Sequence, residues 1–97
     1  MALNAAVGIS GEDRQKATFT MTAKATNLNR HGAAVQLNRE LIVGSVVKLK
    51  NQRGAQISAR IVAQLVALQG IATYAIEFVE QDDAAKGFWG ISFPSNA

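Results

Sequence analysis

The chain has no cysteine, one proline, one histidine and one tryptophan in 97 residues. Without cysteine there is no disulfide framework, no thiolate zinc site and no thiol nucleophile, a usage that fits a reducing compartment. A hydrolytic triad needs a nucleophile, a base and an orienting acid. His31 is the sole imidazole, and Ser10, Ser45, Ser58, Ser92 and Ser95 lie in no nucleophile-elbow pattern. No glycine loop of the Walker or dinucleotide type is present. Asp82 and Asp83, with Glu77 and Glu80 nearby, read as surface charge around a turn and not as a metal site or a catalytic pair. Long apolar runs are missing too. The opening MALNAAVGISGEDR lacks the basic start and extended apolar stretch of a signal peptide, and no segment is long enough to span a membrane as a helix. These absences point away from an enzyme and toward a binding module.

What is present is apolar and weakly charged. With 48% hydrophobic residues the chain can build one core, and its length suits a single domain. Ten Lys and Arg against seven Asp and Glu leave a formal charge of +3, which favours anionic partners slightly. No basic stripe is interleaved with aromatics, so nucleic acid is a poor partner.

Alternation dominates the pattern. In residues 17–28 (ATFTMTAKATNL), Phe19, Met21, Ala23 and Ala25 share one parity and Thr18, Thr20, Thr22, Lys24 and Thr26 the other, the period of a half-buried strand. Ala33, Val35 and Leu37 continue it after a loop, and the polar residues Asn38 to Glu40 end it. Residues 46–50 (VVKLK) form a further strand entered through Gly44, and 51–54 (NQRG) are a turn by composition. Residues 55–68 (AQISARIVAQLVAL) fit two periods, because Ile57, Ile61, Leu65 and Leu68 also make a helical stripe; the flanking Gly54 and Gly70 favour a long hairpin strand. Residues 71–80 (IATYAIEFVE) return along it, and a first strand is expected near residues 3–9. About six short antiparallel strands close into a barrel or a sandwich, and a barrel leaves fewer open edges. In the tail, Phe88, Trp89 and Phe93 have the apolar area to plug one mouth of such a barrel.

One loop is over-equipped for turning the chain. Residues 27–35 read NLNRHGAAV, placing two amides, an arginine, an imidazole and a glycine where one Gly and one Asn would suffice. The run TNLNRHGAAVQL, the Gly44-led strand, the long hairpin, IEF in the last strand and the closing FWGISFP together resemble a PilZ domain. The likeness covers about residues 7–94. It implies an all-β, six-stranded antiparallel barrel with a short C-terminal tail or helix packed on it, of bacterial and cytoplasmic origin. It also implies that the barrel binds cyclic di-GMP as an adaptor for a protein partner or for a second copy of itself. The family motif is Asp or Asn, any residue, Ser, any two, Gly. By that likeness Asn27 and Gly32 match, and Asn29 stands where Ser is usual. Asn27 and Asn29 would grip a purine edge, since an amide donates and accepts at once. Gly32 would let backbone approach the ligand. Arg30 would offer a phosphate contact if it turned inward and is otherwise a solvated loop residue; His31 is a phosphate ligand or a loop filler.

The family's second motif, a pair of arginines spaced RxxxR ahead of the first strand, is absent; the earliest arginine is Arg14, with Lys16 and Thr18 after it. Two charged hydrogen bonds of roughly 1.5 to 3 kcal/mol each are worth about a hundred- to ten-thousandfold in affinity. The competing expectation is therefore a PilZ-like barrel that binds no nucleotide and serves protein contacts alone.

Overall fold

A computed structural model describes residues 4–80 and 87–90. The alternating segments form six strands: β1 (Ala5–Glu12), β2 (Thr18–Asn29), β3 (Gly32–Leu37), β4 (Val46–Lys50), β5 (Gln56–Leu68) and β6 (Ile71–Phe78). All pairings are antiparallel, and the order β1-β2-β3-β6-β5-β4 closes through β1 against β4. The expected barrel is there, and the sandwich is excluded. The segment with two periods is a strand because its first residues are zipped to β4, Val46 facing Arg60 through Lys50 facing Gln56, while Ala59 to Leu68 pair with β6. A helix would have left both neighbours open. The first strand reaches further than expected, to Glu12, since β2 offers it partners from Ala25 back to Thr18. Residues 87–90 form a turn, and no helix occurs among the described residues. Asp82, Asp83 and Phe93 lie outside the described residues, as does Leu3 of the expected first strand.

Period two decides most of the core. Val7 and Ile9 of β1, Phe19, Ala23 and Ala25 of β2, Val35 and Leu37 of β3, Val47 and Leu49 of β4, and Tyr74, Ile76 and Phe78 of β6 all point inward and are buried. Each large side chain so placed contributes roughly 1.5–3 kcal/mol. Met21, on the apolar parity of β2, is only partly buried. In β5 the rule holds for Ala59 and Ile61 and then fails: Leu65, on the same parity, is more than half exposed, and Ala67 is exposed too. Two register shifts, between Ile61 and Ala63 and between Gln64 and Val66, break the alternation there. Tyr74 is fully buried, and its hydroxyl accepts the Leu41 N–H at 2.8 Å, tying the 38–45 connection to the barrel.

The antiparallel order sorts the connections onto two ends. The 30–31 turn, the turn between β4 and β5, and the start of β1 share one end. The turn between β1 and β2, the 38–45 connection and the tip of the β5–β6 hairpin share the other. Among the described residues no helix is long and apolar enough to cross a membrane.

At the second end sits Asp13, 6% exposed. Its Oδ1 accepts the N–H groups of Gln15 (2.9 Å) and Ala17 (3.0 Å), and its Oδ2 accepts Arg39 Nη1 at 3.0 Å. The Ala17 N–H first, and the Arg39 guanidinium next, hold this carboxyl below the usual carboxylate range against the opposing effect of burial. A group lowered in the folded state stabilises the fold above its unfolded pKa, and that contribution is lost as pH falls through the folded value. We therefore expect denaturation midpoints to drop below about pH 4, and Asp13→Asn to flatten that part of the profile. An unchanged slope in the variant would contradict this assignment.

Candidate functional site

The 30–31 turn is built by the residues that made the sequence conspicuous. Asn29 pairs with Gly32 across it, and a register shift between Thr26 and Asn29 lifts Asn27 out of the β2–β3 ladder with φ at +51°. Asn tolerates that left-handed backbone better than most residues. Asn29 Oδ1 accepts the N–H groups of His31 (2.8 Å) and Gly32 (2.9 Å), while its Nδ2 donates to the Asn27 carbonyl at 3.3 Å. The Asn29 amide is thus spent on shaping the turn. Asn27 is exposed, and no hydrogen bond among the described residues holds its side-chain amide.

Gly32 is buried, and its role is set by a strand contact. A Cβ there would run into the carbonyl oxygen of Ile76 and lie 2.9 Å from the carbonyl carbon. The space a side chain would need is therefore taken by β6 and is not left for a ligand. Arg30 is half-buried and His31 exposed; the His31 carbonyl accepts the Phe78 N–H at 2.7 Å.

Beside this turn lies a cleft of about 410 Å³, within the size range of small-ligand sites. Leu28, Asn51, Gln52, Arg53, Phe88 and Trp89 line it, with Gly90 and residues 4–6. The polar wall comes from the β4–β5 turn. Asn51 Oδ1 accepts the N–H groups of Arg53 (2.9 Å) and Ala55 (3.0 Å), and its Nδ2 donates to the Phe88 carbonyl at 2.8 Å. Arg53 Nη2 donates to the Gly87 carbonyl at 2.7 Å. The aromatic wall is a cluster of three rings. Phe88 packs edge-on against Phe78 (5.5 Å between centroids) and Trp89 (4.9 Å). Phe88 is buried and closes this mouth of the barrel, as expected; Trp89 is only partly covered and borders the cleft.

A hydrogen bond joins turn and cleft: Trp89 Nε1 donates to the Gly32 carbonyl at 3.3 Å. Of residues 27–32, Leu28 lines the cleft, Gly32 reaches it through this bond, and Asn27, Asn29, Arg30 and His31 stand outside its lining. Of the cations able to stand in for an arginine pair, Arg30 is at this end and Arg14, Lys16 and Arg39 are not. Arg14 pairs with Glu40 (3.3 Å) and Arg39 with Asp13 (3.0 Å), both at the opposite end of the barrel, where Lys16 also lies. Arg53 is the guanidinium that the fold brings to this end beside Arg30, and sequence reasoning passed over it as part of a turn. The signal was there: NQRG, like NLNRHG, holds more hydrogen-bonding groups than a turn requires. Glu77, facing Gly32 across the β3–β6 pairing, adds one carboxylate to the neighbourhood. Among the described residues no group of three His, Asp or Glu could hold a metal ion.

No protein-family model, curated protein or solved structure matches this chain. The likeness to PilZ domains rests on the quoted residues.

Proposed function

We propose that this chain is a non-catalytic binding module that takes cyclic di-GMP at the barrel end where the 30–31 turn adjoins the cleft, and relays its presence to a protein partner. The observation that carries this reading is the Trp89 to Gly32 bond, which couples the motif turn to a cleft furnished with an indole, the amides of Asn4 and Gln52 and a guanidinium. Those groups suit a planar base attached to a phosphate. An indole face stacks on purines, amides read a base edge, and a guanidinium forks onto phosphate oxygens. Asn27 contributes the exposed amide, and Arg53 takes over part of the work of the absent RxxxR pair. One guanidinium in place of two leaves the affinity roughly ten- to a hundredfold below that of a site holding both. Ligand docking there biases how the barrel end packs on its partner, which is how a module without a reaction transmits a signal.

Titration calorimetry tests this. Cyclic di-GMP should give saturable heat with a dissociation constant in the range of about 10 µM to 1 mM. Asn27→Ala and Arg53→Ala should each weaken it about tenfold, while Arg14→Ala at the other end should leave it unchanged. The second reading, a barrel that binds no nucleotide and works by protein contact alone, draws on the Asn29 amide being consumed inside the turn. Absence of heat at millimolar ligand would select it.

A further inference from the structure

The β5–β6 hairpin continues past the barrel wall. β4 covers the outer edge of β5 up to Arg60, and two more bonds, Gly44 N–H to the Ile61 carbonyl (2.7 Å) and Ile61 N–H to the Ser45 carbonyl (2.9 Å), finish that seam. Beyond Ile61, β5 pairs with β6 alone among the described residues. Residues 62–72 read VAQLVALQGIA, without a charge or a proline. Val62, Leu65, Val66, Leu68 and Ile71 are between 42% and 68% exposed. Val62 and Leu65 are the extra residues of the two register shifts, so apolar groups emerge on both faces of the arm. After the second shift the ladder is regular, with Val66 facing Thr73, Ala67 facing Ala72 and Leu68 facing Ile71.

Folded proteins guard a free strand edge with lysine, proline or an inward charge, and an unguarded one templates pairing with another chain. This edge carries no lysine, proline or charge from Val62 to Leu68, and its two bulges end at Val66, beyond which the ladder is regular. We propose that the outer half of the hairpin is a self-association arm, through which two copies of this chain pair β5 to β5, antiparallel, about a two-fold axis.

Three features select a second copy as the occupant. Antiparallel edge pairing is self-complementary under a two-fold, so open N–H groups of the regular stretch of one arm meet carbonyls of the other without a new surface having to evolve. With a formal charge of +3, two copies repel over most of their surface, and an uncharged arm is where approach costs least. A lipid surface would cover the leucines and leave the open backbone groups of the edge unpaired, which is unfavourable in hydrocarbon. The contact is modest. Specific interfaces clear roughly 1,000 Å², and one short strand edge from each copy offers little surface against that limit, so the dimer forms and dissociates with concentration. Its position at the end opposite the cleft leaves both ligand sites of a dimer open.

Sedimentation equilibrium of the full chain from about 10 µM to 1 mM tests the arm. The 10.3 kDa species should shift toward twice that mass, and Leu65→Lys with Leu68→Lys should hold it monomeric with an unchanged circular dichroism spectrum. Because the chain has no cysteine, single cysteines replacing Leu65, Val66 or Ala67 in turn give a second readout. At least one should form a covalent dimer on mild oxidation, and Thr20→Cys on β2 should not. A wild type that stays monomeric, a dimer indifferent to both lysines, or a monomer that floats with phosphatidylcholine–phosphatidylglycerol vesicles would overturn the proposal.

Discussion

Gly32→Ala should destabilise the barrel by about 3 kcal/mol or more, and Gly32→Val by little beyond that. The reason lies in where the collision begins. Overpacking usually grows with each added methyl, because side chains shift to make room. At Gly32 the first carbon already meets the Ile76 carbonyl, and that backbone is held in register by the β3–β6 pairs on either side. Strands β3 and β6 cannot separate without opening the closed sheet. Urea unfolding of both variants would check this, and an alanine variant within about 0.5 kcal/mol of wild type would refute it. The result also governs how binding experiments are read: loss of ligand by a Gly32 variant would report a damaged barrel, whereas Asn27→Ala leaves the core alone.

Phe78→Ala should cost about 3–5 kcal/mol, lowering the thermal midpoint by roughly 15–30 °C for a domain of this size. Phe78 is 2% exposed, and its ring supports both Phe88 (5.5 Å) and Trp89 (6.0 Å). Removing it leaves a cavity at the mouth of the barrel and takes away the floor on which the indole rests. Trp89 emission should shift to the red in the folded variant, since the indole would lose its packing and its bond to Gly32 together. A stable variant with unshifted emission would show that the aromatic cluster does not organise the cleft.

Much of this was legible in the sequence because period two leaves a plain record. The parity of Phe19, Ala23 and Ala25, and of Tyr74, Ile76 and Phe78, names the inward face before any coordinates are seen. The same rule misplaced Leu65 and Ala67, which are exposed, since a bulge inserts one residue and reverses parity without a sequence mark of its own. The motif turn was found where its amides and glycine indicated, yet their duties differ from those the resemblance implied. Asn29 is a turn former, and Gly32 makes room for a neighbouring strand. Local pattern could not reveal either, because both depend on what lies opposite in space. Arg53 was missed for a similar cause: the closure of β1 on β4 is what brings the NQRG turn alongside residues 27–32, and no local spacing encodes that juxtaposition.

The coupling between turn and cleft can be read from one resonance. Trp89 is the single tryptophan, so a nitrogen-15 correlation spectrum holds one indole N–H peak, reporting the bond to Gly32. On titration with cyclic di-GMP that peak should move in step with the amides of Asn27, Gly32 and Arg53, all fitting one dissociation constant. A peak that stays fixed at millimolar ligand, or shifts confined to residues 62–72, would contradict a nucleotide site at this end of the barrel.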